Sequence, residues 1–369
     1  MIFISTTLLI TLTGFDAAKT KEWSPLVPAI NMFTMNFLKK QIEIEPNENI
    51  FFSPFSIQAV LTLVMGGARD LTERSMRKAL GYIYLNVHIR DPVSEEAKLK
   101  PEFIEYGKGY HAEISNENFS NPSEVQNKIN SWVAKNTRNM IPKLLKNPPS
   151  MMSMILAISA IYFKGEWNET FNTSLTEARN FLDADGKTKK VPMMTRPRGS
   201  RARFNKQRNF DILEIPYKDS MSMYVLLPHR NETTKKMIAE IRRTKGLGSI
   251  FDSLLTRRFD SLSIPKFKIT KEYKLNEILI KLGMNSAFSN GADFSGICDK
   301  DIKISEVRHE AMIVVNEEGT HAAAATSVNM VQKSRPHLLL NFIVDRPFMF
   351  LIGDRSNQII LFAGIINKL

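Results

Sequence analysis

The sequence predicts an α+β fold built as a single domain. Three observations predict it: helix-like patterns cluster early, strand-like patterns dominate later, and no regular strand–helix alternation runs through the chain. No composition break or internal repeat divides the 369 residues, which are enough to bury a sizeable core. We therefore expect one domain over residues 19–369, preceded by a distinct segment of residues 1–18.

The first part of the domain carries the helix signals. Apolar residues recur at helical spacing from about residue 28 to residue 40. Ser53-Pro54 starts a second helix, because serine caps a helix and proline suits its first position. A third helix ends near Leu80, and Pro122 opens another. Between these two, the run Tyr82–Val87 is predicted to be a strand.

The strand signals follow. The near-continuous apolar run Ile155–Phe163 is typical of a strand buried on both faces. Between Phe181 and Leu227, strand-like runs alternate with turns. Two apolar runs, Phe348–Ile352 and Ile359–Ile366, flank a polar turn and predict a C-terminal hairpin.

The N-terminal segment predicts secretion. Residues 2–15 are apolar, too few to span a membrane, and typical of the hydrophobic part of a signal peptide, so residues 1–18 are predicted to be one. We expect an extracellular glycoprotein, because four Asn-X-Ser/Thr sequons follow, at Asn118, Asn168, Asn172 and Asn231. Cys298 is the single cysteine of the sequence, so no intrachain disulfide can form.

The formal net charge of +12 points to an acidic or polyanionic partner, although a solvated basic surface is the ordinary alternative. The candidate site for a sulfated glycan or a protein exosite is a basic run comprising Arg196, Arg198, Arg201, Arg203, Lys206 and Arg208. No hydrolase elbow, zinc-protease motif or phosphate-binding glycine loop occurs. We therefore expect a monomer that is not an enzyme, with no cofactor, metal, nucleic acid or membrane partner.

Residues 317–336 form a long connection between two strand-like segments, and such connections are usually functional. Gly319 provides a hinge. With the alternation of a strand, Thr320, Ala322 and Ala324 would share one face, small enough to slide between existing strands. His321, Ala323 and Ala325 would lie on the other. An alanine-rich helix or a flexible linker remains the alternative from these residues alone.

Several segments, in order along the chain, resemble the serpin family of serine protease inhibitors. They are Asn49–Ile57, Ala160–Trp167, Val191–Met194, Leu262–Phe267, Ala292–Ile297, Val307–Ala311 and Asp345–Phe348. The resemblance implies three β-sheets, about eight helices and an exposed reactive-centre loop over residues 317–340. It implies a suicide substrate: a serine protease cleaves the loop, and the cleaved loop inserts into the main sheet. A non-inhibitory carrier or binding protein on the same fold is the alternative.

The resemblance also assigns roles in the loop. Glu317, Gly319 and Thr320 correspond to the hinge. The inserting segment corresponds to Ala322, Ala323, Ala324 and Ala325. The family's spacing places the reactive bond at Lys333-Ser334, which suits a trypsin-like protease because its pocket carries an aspartate. Arg335-Pro336 is a nearby basic alternative, and Met330-Val331 would suit an elastase- or chymotrypsin-like enzyme in another register.

Below the point where the sheet opens, the resemblance implies a polar cluster. Its members here are Ser53, Ser56, Ser159 and His309, with Trp167 at the upper end of the sheet. Ser159 departs from the family, which usually has asparagine there. The chain is also shortened after Leu80, where relatives carry a helix that some use to bind heparin, so no conventional heparin site is assigned.

Overall fold

The computed structural model describes residues 2–6, 26–84, 103, 112–218, 220–243, 246–318 and 339–369. Eight helices lie within these ranges: α1 (Val27–Ile44), α2 (Pro54–Gly66), α3 (Asp70–Leu80), α4 (Pro122–Asn136), α5 (Thr234–Arg243), α6 (Gly246–Asp252), α7 (Asn276–Lys281) and α8 (Asn285–Phe288). Among the described residues, no helix is long and apolar enough to cross a membrane.

Fifteen strands complete the described fold. They are β1 (Ile2–Thr6), β2 (Ile50–Phe52), β3 (Ala112–Asn116), β4 (Ile155–Phe163), β5 (Glu177–Leu182), β6 (Thr188–Arg196), β7 (Arg201–Lys206), β8 (Phe210–Pro216), β9 (Met221–Pro228), β10 (Leu255–Pro265), β11 (Phe267–Lys274), β12 (Ile304–Val315), β13 (Leu340–Ile343), β14 (Phe348–Asp354) and β15 (Ile360–Ile366). The predicted α+β class and C-terminal hairpin are confirmed.

The strands form a five-stranded sheet, in the order β11-β12-β4-β1-β3, and a ten-stranded sheet. The ten-stranded sheet has two wings that share the long strand β10. One wing runs β2-β15-β14-β9-β8-β7-β10, and the other contains β6 and β5, with β13 paired to β10. Counting the wings separately gives the three sheets that the resemblance implies.

The centre of the five-stranded sheet is a parallel pair. Strands β4 and β12 are in register from Ile155 opposite Ile304 to Phe163 opposite Ile313, with one irregularity near Ser305. β11 pairs antiparallel with the outer edge of β12. Every residue of the continuous apolar run in β4 is buried, which confirms the prediction of a strand buried on both faces.

The N-terminal strand β1 lies inside this sheet. It pairs parallel with β4 through Ile155–Ser159 and antiparallel with β3. A mature molecule cannot both keep β1 and lose residues 1–18 to a signal peptidase. The signal peptide and the domain boundary at residue 19 remain predictions.

Three apolar clusters hold these layers together. The first packs α1, α2 and α3 with α5 to α8 against both sheets. The second fills the space between the two sheets, around the upper ends of β4 and β12. The third lies on the outer face of the five-stranded sheet, beneath α4.

The shortened region after Leu80 differs from the sequence prediction. Tyr82–Tyr84 is a single 3-10 turn and not the start of a strand. Tyr82 is buried, and its hydroxyl exchanges a hydrogen bond with Thr62 of α2 (2.9 Å). The ring therefore turns into the helical layer, where Gly81, with φ of 80°, ends α3 in the left-handed region. Residues 85–102 lie outside the described part of the chain.

Candidate functional site at the opening of the five-stranded sheet

The site consists of the β4–β12 pair and the groups that hold its two strands together. From Val307 onwards, the odd-numbered residues of β12, such as Val307 and Ile313, face the core, while Met312 faces α4. The predicted reactive-loop residues follow β12 in the sequence. Of the predicted site residues in this loop, Glu317 is described, whereas Gly319, Thr320, Ala322, Ala323, Ala324, Ala325, Lys333 and Ser334 lie outside the described residues.

Four predicted side chains meet on the core side of the pair. The His309 ring lies between Ser53 and Ser159: its Nε2 is 3.0 Å from the backbone nitrogen of Ser53, and its Nδ1 is 3.0 Å from Ser159 Oγ. Ser159 Oγ lies 2.5 Å from Ser56 Oγ, and the Ser56 amide donates to Ser53 Oγ (3.1 Å). All four residues are fully buried. This chain of hydrogen bonds joins α2 to both strands.

The local sequence explains this placement. Ser53 is the N-cap of α2, its hydroxyl accepting from the Ser56 amide, and Pro54 occupies the first helical position, as predicted. Ser159 is the one polar residue in the apolar run of β4. Because β4 and β12 are in register, Ser159 lies directly opposite His309. Ser159, the residue that departs from the family pattern, thus contacts both Ser56 and His309 through its hydroxyl.

The hydrogen bonds fix the form of the imidazole. A backbone N–H can only donate, so His309 Nε2 is the acceptor and Nδ1 carries the hydrogen that it donates to Ser159 Oγ. Complete burial lowers the pKa of His309 to about 3, because desolvation disfavours the charged imidazolium. The ring is therefore neutral across the physiological range.

We expect this histidine to make stability depend on pH. Its folded pKa lies below the ordinary value of 6.5, so its contribution is complete above pH 6.5 and is lost as pH falls towards about 3. The loss is about 1.4 kcal/mol per pH unit. Urea unfolding at pH 7, 6 and 5 measures this. His309→Gln should be less stable than wild type at pH 7, and the slope of its free energy of unfolding against pH should be shallower than that of wild type. An unchanged slope would contradict the assignment.

The upper ends of the strands are joined by backbone contacts. Trp167 follows β4, and its indole Nε1 donates to the carbonyl of Asn316 (2.8 Å). The Trp167 amide donates to the backbone carbonyl of Glu318 (3.4 Å), and the Phe171 amide donates to the backbone carbonyl of Glu317 (2.9 Å). Trp167 is 1% exposed and stacks on Tyr217 with a centroid distance of 4.2 Å. These bonds join the segments that continue β4 and β12 beyond their last paired residues.

The side chain of Glu317 is held as well. Its carboxylate accepts from Thr176 Oγ1 (2.9 Å) and pairs with Lys266 Nζ (2.9 Å). Burial opposes ionisation, but these hydrogen bonds outweigh it and hold the pKa of Glu317 below its usual value. Glu317, the first residue of the predicted loop, is thus anchored by its main chain and its side chain. Sequence reasoning named Glu317 but missed Thr176 and Lys266; Lys266 lies in a quoted family segment without a role.

Exchange of the two charges should test this anchor. Glu317→Lys places two ammonium groups at one site and should lower the free energy of unfolding by about 2 kcal/mol. The matched swap, Glu317→Lys with Lys266→Glu, should recover at least half of that loss. Urea unfolding of the double-mutant cycle measures the coupling. Additive losses would show that the ion pair does not hold the hinge.

The outer face of the pair is covered by α4. Its apolar residues Val125, Ile129 and Val133 pack with Leu156, Ile158, Ala160 and Tyr162 of β4 and with Met312 of β12. Because this helix rests on both central strands, separating them disrupts its packing.

The structure corrects the predicted basic run. Arg196 is 4% exposed, lies over the Phe171 ring (5.0 Å to the centroid) and pairs with Glu169 (3.2 Å). Arg203 is half-buried and pairs with the buried carboxylate of Glu214 (2.6 Å). The six residues therefore do not form one surface for a polyanion. Strand alternation is the reason: Arg196 shares the inward face with the buried Met194.

Comparison with known proteins agrees with this geometry. Residues 28–92 and 85–369 match the family model Serpin (serine protease inhibitor). Iripin-2 from Ixodes ricinus is 30% identical over 379 residues, covering 95% of each chain. Intracellular coagulation inhibitor 2 from Tachypleus tridentatus is 28% identical over 400 residues, covering 100% of this chain and 97% of that one. The structure of native protease nexin-1 with heparin aligns with a TM-score of 0.79 and 27% identity, covering 94% and 99% of the two chains.

The fold and the family match define a protein of the serpin class, most of whose members are protease inhibitors. This chain belongs to the serpin family. The two pieces of the family match meet at residues 85–92, the region where the sequence is shortened. The name of the Tachypleus relative describes an intracellular protein, so family membership alone does not establish secretion.

Proposed function

We propose that this chain inhibits a trypsin-like serine protease as a suicide substrate, cleaved at Lys333-Ser334. The observation that carries the proposal is the parallel β4–β12 pair, followed directly by the hinge. A chain that leaves the upper end of β12 and turns back runs antiparallel to β12. Since β4 is parallel to β12, the returning chain is antiparallel to both strands.

Insertion would therefore exchange one parallel interface for two antiparallel ones. Antiparallel pairing is slightly more stable per residue than parallel pairing. With nine paired positions between β4 and β12, the gain is on the order of ten main-chain hydrogen bonds, each contributing ~1 kcal/mol. The uncleaved chain cannot form these hydrogen bonds because its loop is tethered at both ends. A kinetic barrier therefore protects the uncleaved state.

The proposed chemistry is that of an interrupted proteolysis. The protease serine attacks the Lys333 carbonyl, an ester forms between them, and the amine of Ser334 leaves with the proton given up by the protease histidine. The loop then inserts before water hydrolyses the ester. Lys333 supports a trypsin-like target because its ammonium pairs with the aspartate of the specificity pocket.

Incubation with trypsin followed by denaturing electrophoresis tests the proposal. The expected result is a stable covalent species with the mass of trypsin plus residues up to Lys333, and a released fragment that begins at Ser334. Cleavage at Lys333 without a stable complex would overturn the inhibitory function and favour the non-inhibitory alternative. Mass spectrometry of the released fragment identifies the bond.

We also propose that the protein acts outside the cell. The four sequon asparagines, Asn118, Asn168, Asn172 and Asn231, are all exposed, which supports their use as glycosylation sites. Expression in secreting cells should give a chain whose mass falls on treatment with a peptide N-glycosidase. An unglycosylated chain retained in the cells would contradict this proposal.

A further inference from the structure

An exposed group of arginines lies where β7 meets β10. These strands pair antiparallel with Arg201 opposite Arg258 and Ala202 opposite Arg257. Arg198 lies in the tight turn before β7. Arg198 and Arg201 are exposed, and Arg258 is half-buried. Arg257 is exposed too, but it lies opposite the buried Ala202 and so projects from the other face of the strand pair. Arg198, Arg201 and Arg258 are named the arginine surface below. Only Arg198 and Arg201 belong to the basic run read from the sequence; the register of β10 supplies Arg258.

The arginine surface has an excess of positive charge. Arg198 pairs with Asp260 (2.6 Å), although both side chains are largely exposed at 77% and 42%. Among the described residues, Asp260 is the acidic group found in an ion pair with this surface. Three guanidinium groups thus face one carboxylate. Arg203 on the same strand differs, because it is neutralised by Glu214.

The arginine surface adjoins the point where the chain returns from the reactive loop. Phe259 of β10 accepts from the Gly199 amide (2.7 Å) and donates to the Ser200 carbonyl (3.0 Å), which ties the turn carrying Arg198 to β10. Leu340, the first residue of β13, lies opposite the same Phe259. Ser334 precedes Leu340 by six residues, a span of at most about 20 Å.

We propose that the arginine surface is a second docking site for the target protease and binds an acidic patch on it; this rests on the proposed inhibitory function. A protease of about 220 residues has a radius of about 20 Å, so one seated on the loop reaches this surface. Arginine fits the planar, two-point recognition of carboxylates and is enriched at protein interfaces. The attraction steers the protease to the loop and raises the association rate.

Two trypsin isoforms of opposite surface charge test the proposal. The Arg201→Glu, Arg258→Glu variant should associate with anionic trypsin about tenfold more slowly than wild type at low salt, and the difference should shrink at high salt. With cationic trypsin it should not be slowed. The matched control is Arg74→Glu with Lys78→Glu, two exposed residues of α3 that change the net charge equally. The control should leave the rate with anionic trypsin within about twofold of wild type. Thermal melts confirm that both variants fold.

A second measurement separates this proposal from the proposed function. Anionic trypsin with its active-site serine replaced by alanine can dock but cannot form the ester. If no covalent complex forms in any assay, but this inactive trypsin still binds with a salt-dependent affinity that the arginine variant loses, the docking surface stands and inhibition fails. If complexes form at equal rates in wild type and both variants, the docking surface is overturned. Loss of retention on heparin with unchanged protease rates would also overturn it, in favour of a glycan site.

Discussion

Replacing Lys333 by glutamate is expected to slow association with trypsin by about four orders of magnitude. The trypsin pocket presents an aspartate, so a glutamate at this position loses the ion pair and meets a like charge, and sites built for a charged partner reject mismatches on that scale. Progress-curve inhibition assays measure the rate constant. The fold of the variant should be unchanged, which a thermal melt checks.

Arg335→Glu is the matched control for this substitution. It makes the same charge change two residues further along, next to Pro336. If Lys333 occupies the specificity pocket, Arg335→Glu should alter the rate by less than about tenfold. The reverse pattern would move the reactive bond to Arg335. Equal inhibition of chymotrypsin by wild type and both variants would point instead to Met330.

Placing arginine at Ala324 is expected to convert the inhibitor into a substrate. Ala324 is predicted on the face of the inserting strand that turns towards the core, where the fully buried chain of Ser53, Ser159 and His309 lies. An unpaired charge in that position costs several kcal/mol, so insertion stalls and water hydrolyses the ester. The number of inhibitor molecules consumed per trypsin should rise from about one to more than ten.

His321→Arg is the control, because strand alternation predicts His321 on the opposite face, away from the buried chain of Ser53, Ser159 and His309. It should leave the stoichiometry of inhibition near that of wild type. The first cleavage rate should be similar in both variants, since neither changes Lys333. Unimpaired inhibition by Ala324→Arg would show that this face does not enter the sheet.

The sequence predicted most of what depends on local patterns. The cap at Ser53, the buried strand Ile155–Phe163 and the C-terminal hairpin are all confirmed, because each follows from neighbouring residues. The contacts of His309 with Ser53 and Ser159 could not be predicted from spacing. They join residues 256 and 150 positions apart, and only the family resemblance placed them together.

Two errors have physical causes in the sequence. Arg196 was grouped with its charged neighbours, yet strand alternation from Met194 turns it inward. Tyr82 looked like a strand residue because it begins an apolar, aromatic run, but its hydroxyl finds Thr62 and its ring packs into the helical layer. In both places a tertiary partner overrode the local composition. Arg258 shows the converse, since only the register of β10 brings it opposite Arg201.

The thermal unfolding of the chain before and after cleavage of its loop tests the central claim, which is insertion between β4 and β12. A gain of on the order of ten hydrogen bonds should raise the melting temperature of a 369-residue chain by roughly 13 °C. Cleavage of the loop between residues 325 and 334 by a catalytic amount of a metalloprotease, which forms no ester with its substrate and is therefore not trapped, followed by removal of the enzyme, prepares the sample. A melting temperature that stays within about 2 °C of the uncleaved value would show that the loop does not enter the sheet.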